Sequence, residues 1–292
     1  MELYNFGKEV TIIGSESFIG KNLYLGLKSR GYSVNFLTSR VQSDQLLKKD
    51  NISKTLNLIK GNNAILSGWP INDDLKSTLR WCDHIFIILK EFLLKNEKNY
   101  LICLGSAAEL NPSNEKPLKE EDFNLGVGDY GKGKVYFLKK FLSDKDLNKK
   151  QYSWIRLFAP TGKYESHMRL IPSITKMALD NQTIFCNNPN IYRDFYDVNE
   201  AIKCIEFILE RKYSGIINLG SGKKIMIKDL IEKIIQTTSS KSKIMFKEVE
   251  ELPWKKASWF PDIKKLKRLV PIYPKRNIDE IIKIHIQLVN KK

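Results

Sequence analysis

Short runs of apolar, β-branched residues alternate in the first half of the chain with longer segments whose apolar positions repeat every three or four residues. The first run, 9–13, stops at a glycine, and 19–27 then has helical spacing. Further strands are predicted at 33–38, 63–66, 100–104 and 154–158, and further helices at 75–94 and 130–142. Parallel neighbours need crossover connections, so strands that alternate with helices favour a parallel sheet. The pattern predicts an α/β fold with a doubly wound parallel sheet.

The pattern changes after residue 160, where a polar stretch punctuated by glycine and proline begins. A helix is predicted at 199–210 and a strand at 215–219, and the segment from 223 onward mixes helix and short strand signals. We predict a first domain over 1–160, completed by 192–220. Residues 161–191 and 221–292 are predicted to form a smaller C-terminal lobe.

Composition is that of a globular protein with a sizeable core, with 42% hydrophobic residues in a chain of 292. Residues 1–7 lack a basic start and a long apolar stretch, and the most apolar later window, 85–94, contains Lys90 and Glu91. We therefore expect no signal peptide, no membrane span and a cytoplasmic location. The four cysteines lack the paired spacing of a zinc site or a disulfide framework, so no metal is expected.

The charge balance is strongly basic, with 49 Lys plus Arg against 33 Asp plus Glu and a formal net charge of +16. Such a charge suits nucleic acid, an anionic membrane surface or phosphate-bearing small ligands. The basic residues are scattered along the chain and form no stripe with aromatic residues. We therefore do not expect a nucleic-acid partner.

A glycine-containing loop joins the first strand to the first helix and reads Gly14-Ser15-Glu16-Ser17-Phe18-Ile19-Gly20. Glycines at its two ends permit a tight turn and close packing of helix on strand, as in a Rossmann-type dinucleotide site. The free backbone amides of the helix start would face a pyrophosphate. The predicted cofactor contacts here are Gly14, Ser17, Phe18, Ile19 and Gly20, with Ser17 in place of the usual middle glycine. The alternative is an ordinary turn.

The end of the second strand bears on the choice of cofactor. In NAD-binding proteins of this type, an acidic residue at the end of the second strand binds the ribose hydroxyls of NAD. At this position the sequence has Ser39 and Arg40. A guanidinium can pair with a 2′-phosphate, so these two residues favour NADP(H) over NAD(H). The alternative is that Arg40 is a solvated loop residue.

Tyr130 and Lys134 are one helical turn apart, close enough for an ammonium group to stabilise a phenolate. The same spacing also occurs at three other places, which are Tyr4 with Lys8, Tyr24 with Lys28 and Tyr136 with Lys140. Tyr130 differs because it opens the helix after the fourth strand, and that strand ends at Ser106. The carboxyl edge of a doubly wound sheet is where ligands bind.

These motifs, with Trp-Ile-Arg-Leu-Phe at 154–158, Arg-Asp-Phe-Tyr-Asp-Val at 193–198 and Asn-Leu-Gly-Ser-Gly at 218–222, resemble the extended short-chain dehydrogenase/reductase family over nearly the whole chain. That family contains nucleotide-sugar epimerases, dehydratases and reductases. The resemblance implies that Tyr130 is the acid or base, that Lys134 lowers its pKa and holds the nicotinamide ribose, and that Ser106 hydrogen-bonds the reacting carbonyl. It also implies that the first domain binds the nicotinamide cofactor, which Ser39 and Arg40 indicate is NADP(H), and that the C-terminal lobe binds the substrate.

The substrate side follows from the same resemblance. It makes Arg193 a ligand of the substrate diphosphate or ribose, a task that suits a planar guanidinium. His167 and Arg169, in the loop where the family begins its substrate lobe, are further candidate contacts; the alternative is an exposed basic loop. The family often forms homodimers, and the stretch 41–62 is shorter than in longer relatives.

The residues after Ser106 bear on the reaction. Dehydratases of this family carry two acids directly after the catalytic Ser or Thr, whereas this chain has Ala107 and Ala108. That leaves hydride transfer, and Arg40 favours NADPH-dependent reduction of a nucleotide-diphospho-4-keto-6-deoxyhexose in deoxysugar or surface polysaccharide biosynthesis. One alternative is an NAD(P)-dependent nucleotide-sugar 4-epimerase. Another is a non-catalytic NADP-sensing or nucleic-acid-binding protein on the same fold.

The cofactor hypothesis can be tested with Arg40→Ala. We expect the wild-type protein to bind NADPH more tightly than NADH in a titration of nicotinamide fluorescence. The substitution should weaken NADPH binding about 10-fold or more, the size of a hydrogen bond to a charged group, and should leave NADH binding unchanged. Arg80→Ala, on a predicted helix, is the control. Equal affinities of the wild-type protein for the two cofactors would contradict the hypothesis.

Overall fold

The computed structural model describes residues 8–38, 52–70, 74–113, 116–122, 126–147, 152–247, 257–275 and 277–290. The strands are β1 (Glu9–Ile13), β2 (Ser33–Leu37), β3 (Asn63–Leu66), β4 (Tyr100–Ser106), β5 (Tyr152–Leu157), β6 (Ala159–Thr161), β7 (Ile184–Asn187), β8 (Tyr192–Arg193), β9 (Phe195–Asp197), β10 (Gly215–Leu219), β11 (Ile225–Met226) and β12 (Ile244–Lys247). The α-helices are α1 (Phe18–Ser29), α2 (Ile52–Leu58), α3 (Leu75–Lys95), α4 (Gly128–Ser143), α5 (Leu170–Leu179), α6 (Val198–Arg211), α7 (Ile227–Thr237), α8 (Lys264–Leu269) and α9 (Ile278–Asn290).

The chain divides into two compact units. Unit 1 comprises Met1–Asn111, Phe123–Arg156 and Ile205–Ile217, and unit 2 comprises Pro112–Asp122, Leu157–Cys204 and Asn218–Lys292. Along the part of the chain that the structure describes, no helix has both the length and the apolar character needed to cross a membrane.

Six of the described strands form the central sheet, with the order β10-β5-β4-β3-β1-β2. Strand β1 pairs in parallel with β2 on one side and with β3 on the other, so that Ile12 lies opposite both Phe36 and Ile65. Strand β3 pairs in parallel with β4. The doubly wound, Rossmann-type α/β fold is confirmed. Because the chain reverses its direction of progress between β1 and β3, these two strands form the point where such sheets bind ligands.

The core of unit 1 is rich in aromatic residues from α3, α4 and β5. Phe137 on α4 lies edge-on to Phe141, with ring centroids 5.2 Å apart, and its ring is 5.7 Å from that of the fully buried Trp154. Helix α3 begins where the side chain of Asp74 accepts a hydrogen bond from Ser77 N at 2.7 Å. This core holds α3 and α4 against the sheet.

Among its described residues, unit 2 has three pairs of short strands, and its helices include α5, α7 and α9. Strands β6 and β9 pair in parallel, as do β7 and β12, whereas β8 and β11 are antiparallel. Ile174, Ile231 and Ile282, one from each helix, share a single apolar core. Strands of two to four residues are too short to show a hydrophobic period, which is why the sequence pattern predicted none of them.

Candidate active site

Gly14 directly follows β1 and has a backbone conformation that only glycine adopts readily, with φ at +87°. A β-carbon on Gly14 would lie 2.1 Å from the α-carbon of Gly68, which follows β3. Both Ser67 N and Gly68 N donate to the carbonyl of Ile13 at 2.9 Å. The predicted cofactor loop therefore lies at the switch point between β1 and β3, and Gly68 is a part of it that the sequence did not reveal.

Ser17 is the N-cap of α1, and its hydroxyl accepts a hydrogen bond from Gly20 N at 3.0 Å. Its φ of −67° is ordinary for a residue with a side chain, so glycine is not required here. Gly20, by contrast, packs so closely that a β-carbon would lie 2.3 Å from the carbonyl oxygen of Gly14. Phe18 and Ile19 are half-buried in the first turn of α1. Ser39 and Arg40 lie outside the described residues.

Ser106 ends β4 and caps a short 3-10 turn, Ala107–Glu109. Its hydroxyl accepts a hydrogen bond from Ala108 N at 3.2 Å, and its own backbone N donates to Glu109 Oε1 at 2.7 Å. This reciprocal pair is a capping box. The turn places Ser106 at the carboxyl edge of the sheet, as predicted.

The carboxylate of Glu109 is completely buried beneath this turn. It accepts hydrogen bonds from Trp154 Nε1 at 2.9 Å and from Arg156 Nε at 2.8 Å, both on β5. Arg156 is also fully buried, so the two form an ion pair shielded from water. Sequence reasoning missed Glu109, although a glutamate three residues after a serine is the sequence signature of a capping box.

Lys134 lies on α4, and only 4% of its surface is exposed. Its Nζ donates to the carbonyl of Leu104 on β4 at 2.6 Å and lies 3.9 Å from the centre of the Trp69 ring. Burial lowers the pKa of Lys134 to about 8, and the negative charge of Glu109 opposes that shift. Lys134 is therefore a cation near neutral pH, but one that can lose its proton more easily than a surface lysine.

Close packing of α4 against the turn depends on glycine. A β-carbon on Gly131 would lie 2.3 Å from the carbonyl oxygen of Ala108, and Val127 N donates to the same oxygen at 2.8 Å. A β-carbon on Gly133 would lie 2.7 Å from the methyl group of Thr78 on α3. The start of α4 is thus attached to the turn that carries Ser106.

Tyr130 lies one turn before Lys134 and is 48% exposed. The Nζ of Lys134 is 5.8 Å from the centre of the Tyr130 ring. Trp69, which follows β3, meets Tyr130 edge-on with 6.2 Å between the ring centroids. The structure therefore brings Tyr130 and Lys134 together at the strand ends that also carry Ser106, with Trp69 as an unpredicted neighbour.

The other tyrosine–lysine pairs have different surroundings. Tyr136 donates to Asp83 at 2.7 Å, and that carboxylate raises the pKa of Tyr136. Lys28 donates to Tyr24 at 3.3 Å on the exposed face of α1. Tyr4 lies outside the described residues. In neither described pair is the lysine buried as Lys134 is.

Arg193 lies on β8 in unit 2, where its Nη1 donates to the carbonyls of Tyr192 and Ala257, both at 2.8 Å. Its guanidinium lies 4.9 Å from the centre of the Trp259 ring. Burial lowers the pKa of Arg193 to about 10, so the side chain stays charged near neutral pH. Trp259 was not predicted.

His167 and Arg169 are both exposed on the loop before α5. Arg169 pairs with Glu165 at 3.1 Å. Glu165 in turn accepts a hydrogen bond from Thr161, whose hydroxyl lies 2.8 Å from Nε2 of the buried His285. Unit 2 thus holds Arg169 through a chain of polar contacts that the sequence did not reveal.

The family described as "NAD dependent epimerase/dehydratase family" matches residues 10–220. Two curated relatives also match. The UDP-N-acetyl-alpha-D-glucosaminuronate decarboxylase of Bacillus cytotoxicus is 28% identical over 144 residues, 46% of this chain and 44% of the relative, so the match spans less than half of that protein. The UDP-glucose 4-epimerase of Halalkalibacterium halodurans is 24% identical over 252 residues, 77% of this chain and 74% of the relative.

Solved structures share the fold at low sequence identity. They include RMD of Pseudomonas aeruginosa complexed with NADPH, with a TM-score of 0.81, 16% identity and coverage of 98% of this chain and 100% of that one. A GDP-6-OMe-4-keto-L-xylo-heptose reductase of C. jejuni has a TM-score of 0.80 with 14% identity and 99% coverage of both chains. The dTDP-glucose 4,6-dehydratase of Bacillus anthracis, in complex with NAD, has a TM-score of 0.80 with 12% identity and 97% coverage of both.

The burial of Lys134 predicts a pH-dependent effect of Lys134→Met on stability. The folded-state pKa of about 8 is below the ordinary 10.5, so the folded state is penalised below pH 8 and the penalty fades as the pH rises towards 10.5. The free energy of unfolding of Lys134→Met, relative to wild type, should be highest at pH 7 and fall by about 2 kcal/mol by pH 10 in urea titrations. Lys132→Met, on the exposed face, is the control. A difference that does not vary with pH would contradict the burial.

Proposed function

Because the chain belongs to the NAD dependent epimerase/dehydratase family, we propose that it reduces the 4-keto group of a nucleotide-diphospho-4-keto-6-deoxyhexose with NADPH. The observation that supports this most is the group at the carboxyl edge of unit 1. Tyr130 lies beside the buried Lys134. The Nζ of Lys134 donates a hydrogen bond to the carbonyl of Leu104, on the strand that ends at Ser106. These are the parts needed to protonate a carbonyl oxygen during reduction.

The residues at the switch point fit a nicotinamide dinucleotide. Gly14 and Gly68 approach so closely that a β-carbon on Gly14 would clash, so only backbone lies at this point of the loop. The start of α1 supplies backbone amides for a pyrophosphate. Gly14, Ser17, Phe18, Ile19 and Gly20 would hold the cofactor, which supplies the hydride when bound.

Tyr130 donates its phenolic proton to the substrate oxygen as the carbonyl carbon gains hydride. A free tyrosine has a pKa near 10, so its phenolate must be stabilised if the proton is to leave near neutral pH. The positive charge of Lys134 performs that task. The hydroxyl of Ser106 donates a hydrogen bond to the same substrate oxygen and keeps it within reach of Tyr130.

Elimination of water from the sugar is disfavoured because it would need a free acid and base beside Ser106. The two residues after Ser106 are alanines. The carboxylate that the turn does carry, Glu109, is buried and bonded to Arg156 and Trp154. It is therefore directed into the core and away from any substrate.

The same proposal includes the residues that would contact cofactor and substrate, the location of the protein and its oligomeric state. Arg40 would pair with the 2′-phosphate of NADPH, the cofactor named for the RMD structure. Arg193, Arg169 and His167 would contact the diphosphate and ribose of the substrate. We further propose a cytoplasmic location, which suits the four unpaired cysteines, and a homodimer, as the family resemblance implies.

A second candidate is a nucleotide-sugar 4-epimerase. The curated relative that aligns over 77% of this chain has that activity. The same tyrosine and lysine would serve, because an epimerase first oxidises and then reduces the same carbon. An epimerase regenerates its cofactor in each turnover, so it would be expected to keep NAD(H) bound through purification.

The reductase proposal is tested by NADPH oxidation at 340 nm with a panel of 4-keto-6-deoxy nucleotide sugars. We expect turnover with at least one of them. Tyr130→Phe should lower kcat by about 100- to 10,000-fold, as expected for loss of a general acid. Tyr24→Phe, which alters another tyrosine four residues before a lysine, should keep wild-type kcat.

Two outcomes would contradict the proposal. Wild-type protein that oxidises NADPH with none of the sugars is not this reductase. Protein that retains NAD(H) and interconverts two 4-epimers without net consumption of NADPH is the epimerase instead.

A further inference from the structure

The turn that carries Ser106 is held by three donors that converge on one buried carboxylate. Glu109 accepts from the backbone of Ser106, from the indole of Trp154 and from the guanidinium of Arg156. The distances are 2.7, 2.9 and 2.8 Å, and none of the Glu109 surface is exposed. A carboxylate with these bonds has a fixed orientation, and it fixes the backbone of Ser106 in turn.

The backbone before Ser106 packs closely against this carboxylate and its indole partner. A β-carbon on Gly105 would lie 2.3 Å from Trp154 Nε1 and 2.5 Å from Glu109 Oε1. An ion pair buried this deeply is not a strong source of stability, because both charges have lost their hydration. Its directional hydrogen bonds, by contrast, specify where the end of β4 lies relative to β5.

We propose that Glu109 is a positioning residue for the carbonyl reduction, and that it acts by holding Ser106 where its hydroxyl can reach the substrate oxygen. This inference rests on the proposed function. The hydroxyl of Ser106 accepts a hydrogen bond from Ala108 N, so its own proton remains to be donated. Glu109 therefore acts through Ser106 and makes no contact with the substrate itself.

The negative charge of Glu109 also favours the reaction by a second route, through the protonation state of Lys134. Burial favours the neutral form of Lys134, and the nearby carboxylate is the largest influence opposing it. Glu109 thus helps to keep Lys134 a cation, which the proposed role of that lysine requires. Both effects come from one side chain placed three residues after Ser106.

The test variant is Glu109→Gln, which keeps the shape but replaces one acceptor oxygen with an amide NH₂. The remaining oxygen should stay with Arg156, the charged donor, and with Trp154, which share Oε2 in the wild type, so that the NH₂ faces Ser106 N and its hydrogen bond is lost. The first measurement is hydrogen exchange of the Ser106 amide, which does not depend on any activity. We expect exchange about 10-fold faster or more than in wild type, with unchanged protection of Leu101, Ile102 and Cys103 in β4.

The second measurement is a double-mutant cycle on kcat with Ser106→Ala. We expect Glu109→Gln alone to lower kcat about 10- to 100-fold with little change in KM, as for a displaced catalytic group. In the Ser106→Ala background the same change should lower kcat several-fold less, because only the effect through the charge of Lys134 remains once the hydroxyl is gone. Glu206→Gln is the matched control, since Glu206 pairs with Arg30 at 3.1 Å elsewhere in unit 1.

Each outcome decides the inference. Wild-type protection of the Ser106 amide in Glu109→Gln overturns it, as does an equal loss of kcat in both backgrounds. If wild-type protein turns over none of the sugars, the proposed function fails, and the exchange result alone decides the role of Glu109. Should Glu109→Gln not fold, the same measurements on Glu109→Gln with Arg156→Met, which removes both buried charges, decide it.

Discussion

The ammonium group of Lys134 is almost completely removed from water, and the ends of two strands of the central sheet contact it. A buried cation is unfavourable unless polar groups replace its hydration. The carbonyl of Leu104, the face of Trp69 and the charge of Glu109 take that place. These groups come from the ends of β3 and β4 and from the turn after β4, so the cation requires those strand ends to converge.

Glycine makes that convergence possible. Gly131 lets α4 approach the turn after β4, and Gly14 lets the cofactor loop approach Gly68. The parallel sheet brings the same ends of β1, β3 and β4 to one edge. The proposed hydride transfer thus depends on these backbone contacts as well as on the three side chains that would take part in it.

The strands of the central sheet, the glycine loop and the pairing of Tyr130 with Lys134 could be predicted because each has a local signal in the sequence. The capping role of Glu109 also has a local signal, but its contacts with Arg156 and Trp154 could not be predicted, because those partners are distant along the chain. The contact of Trp69 with Lys134 could not be predicted for the same reason. Trp259 meets Arg193 in the same non-local way. Arg40, on which the preference for NADP(H) depends, lies outside the described residues, so that preference stays a prediction.

The most direct test of the proposed reduction follows the hydride from NADPH to the sugar. NADPH that carries two deuterium atoms at carbon 4 of its nicotinamide would be supplied with a 4-keto-6-deoxy nucleotide sugar, and the product examined by NMR and mass spectrometry. We expect deuterium on carbon 4 of the sugar, in proportion to the NADPH oxidised. A product that forms without label on that carbon would contradict the proposed reduction.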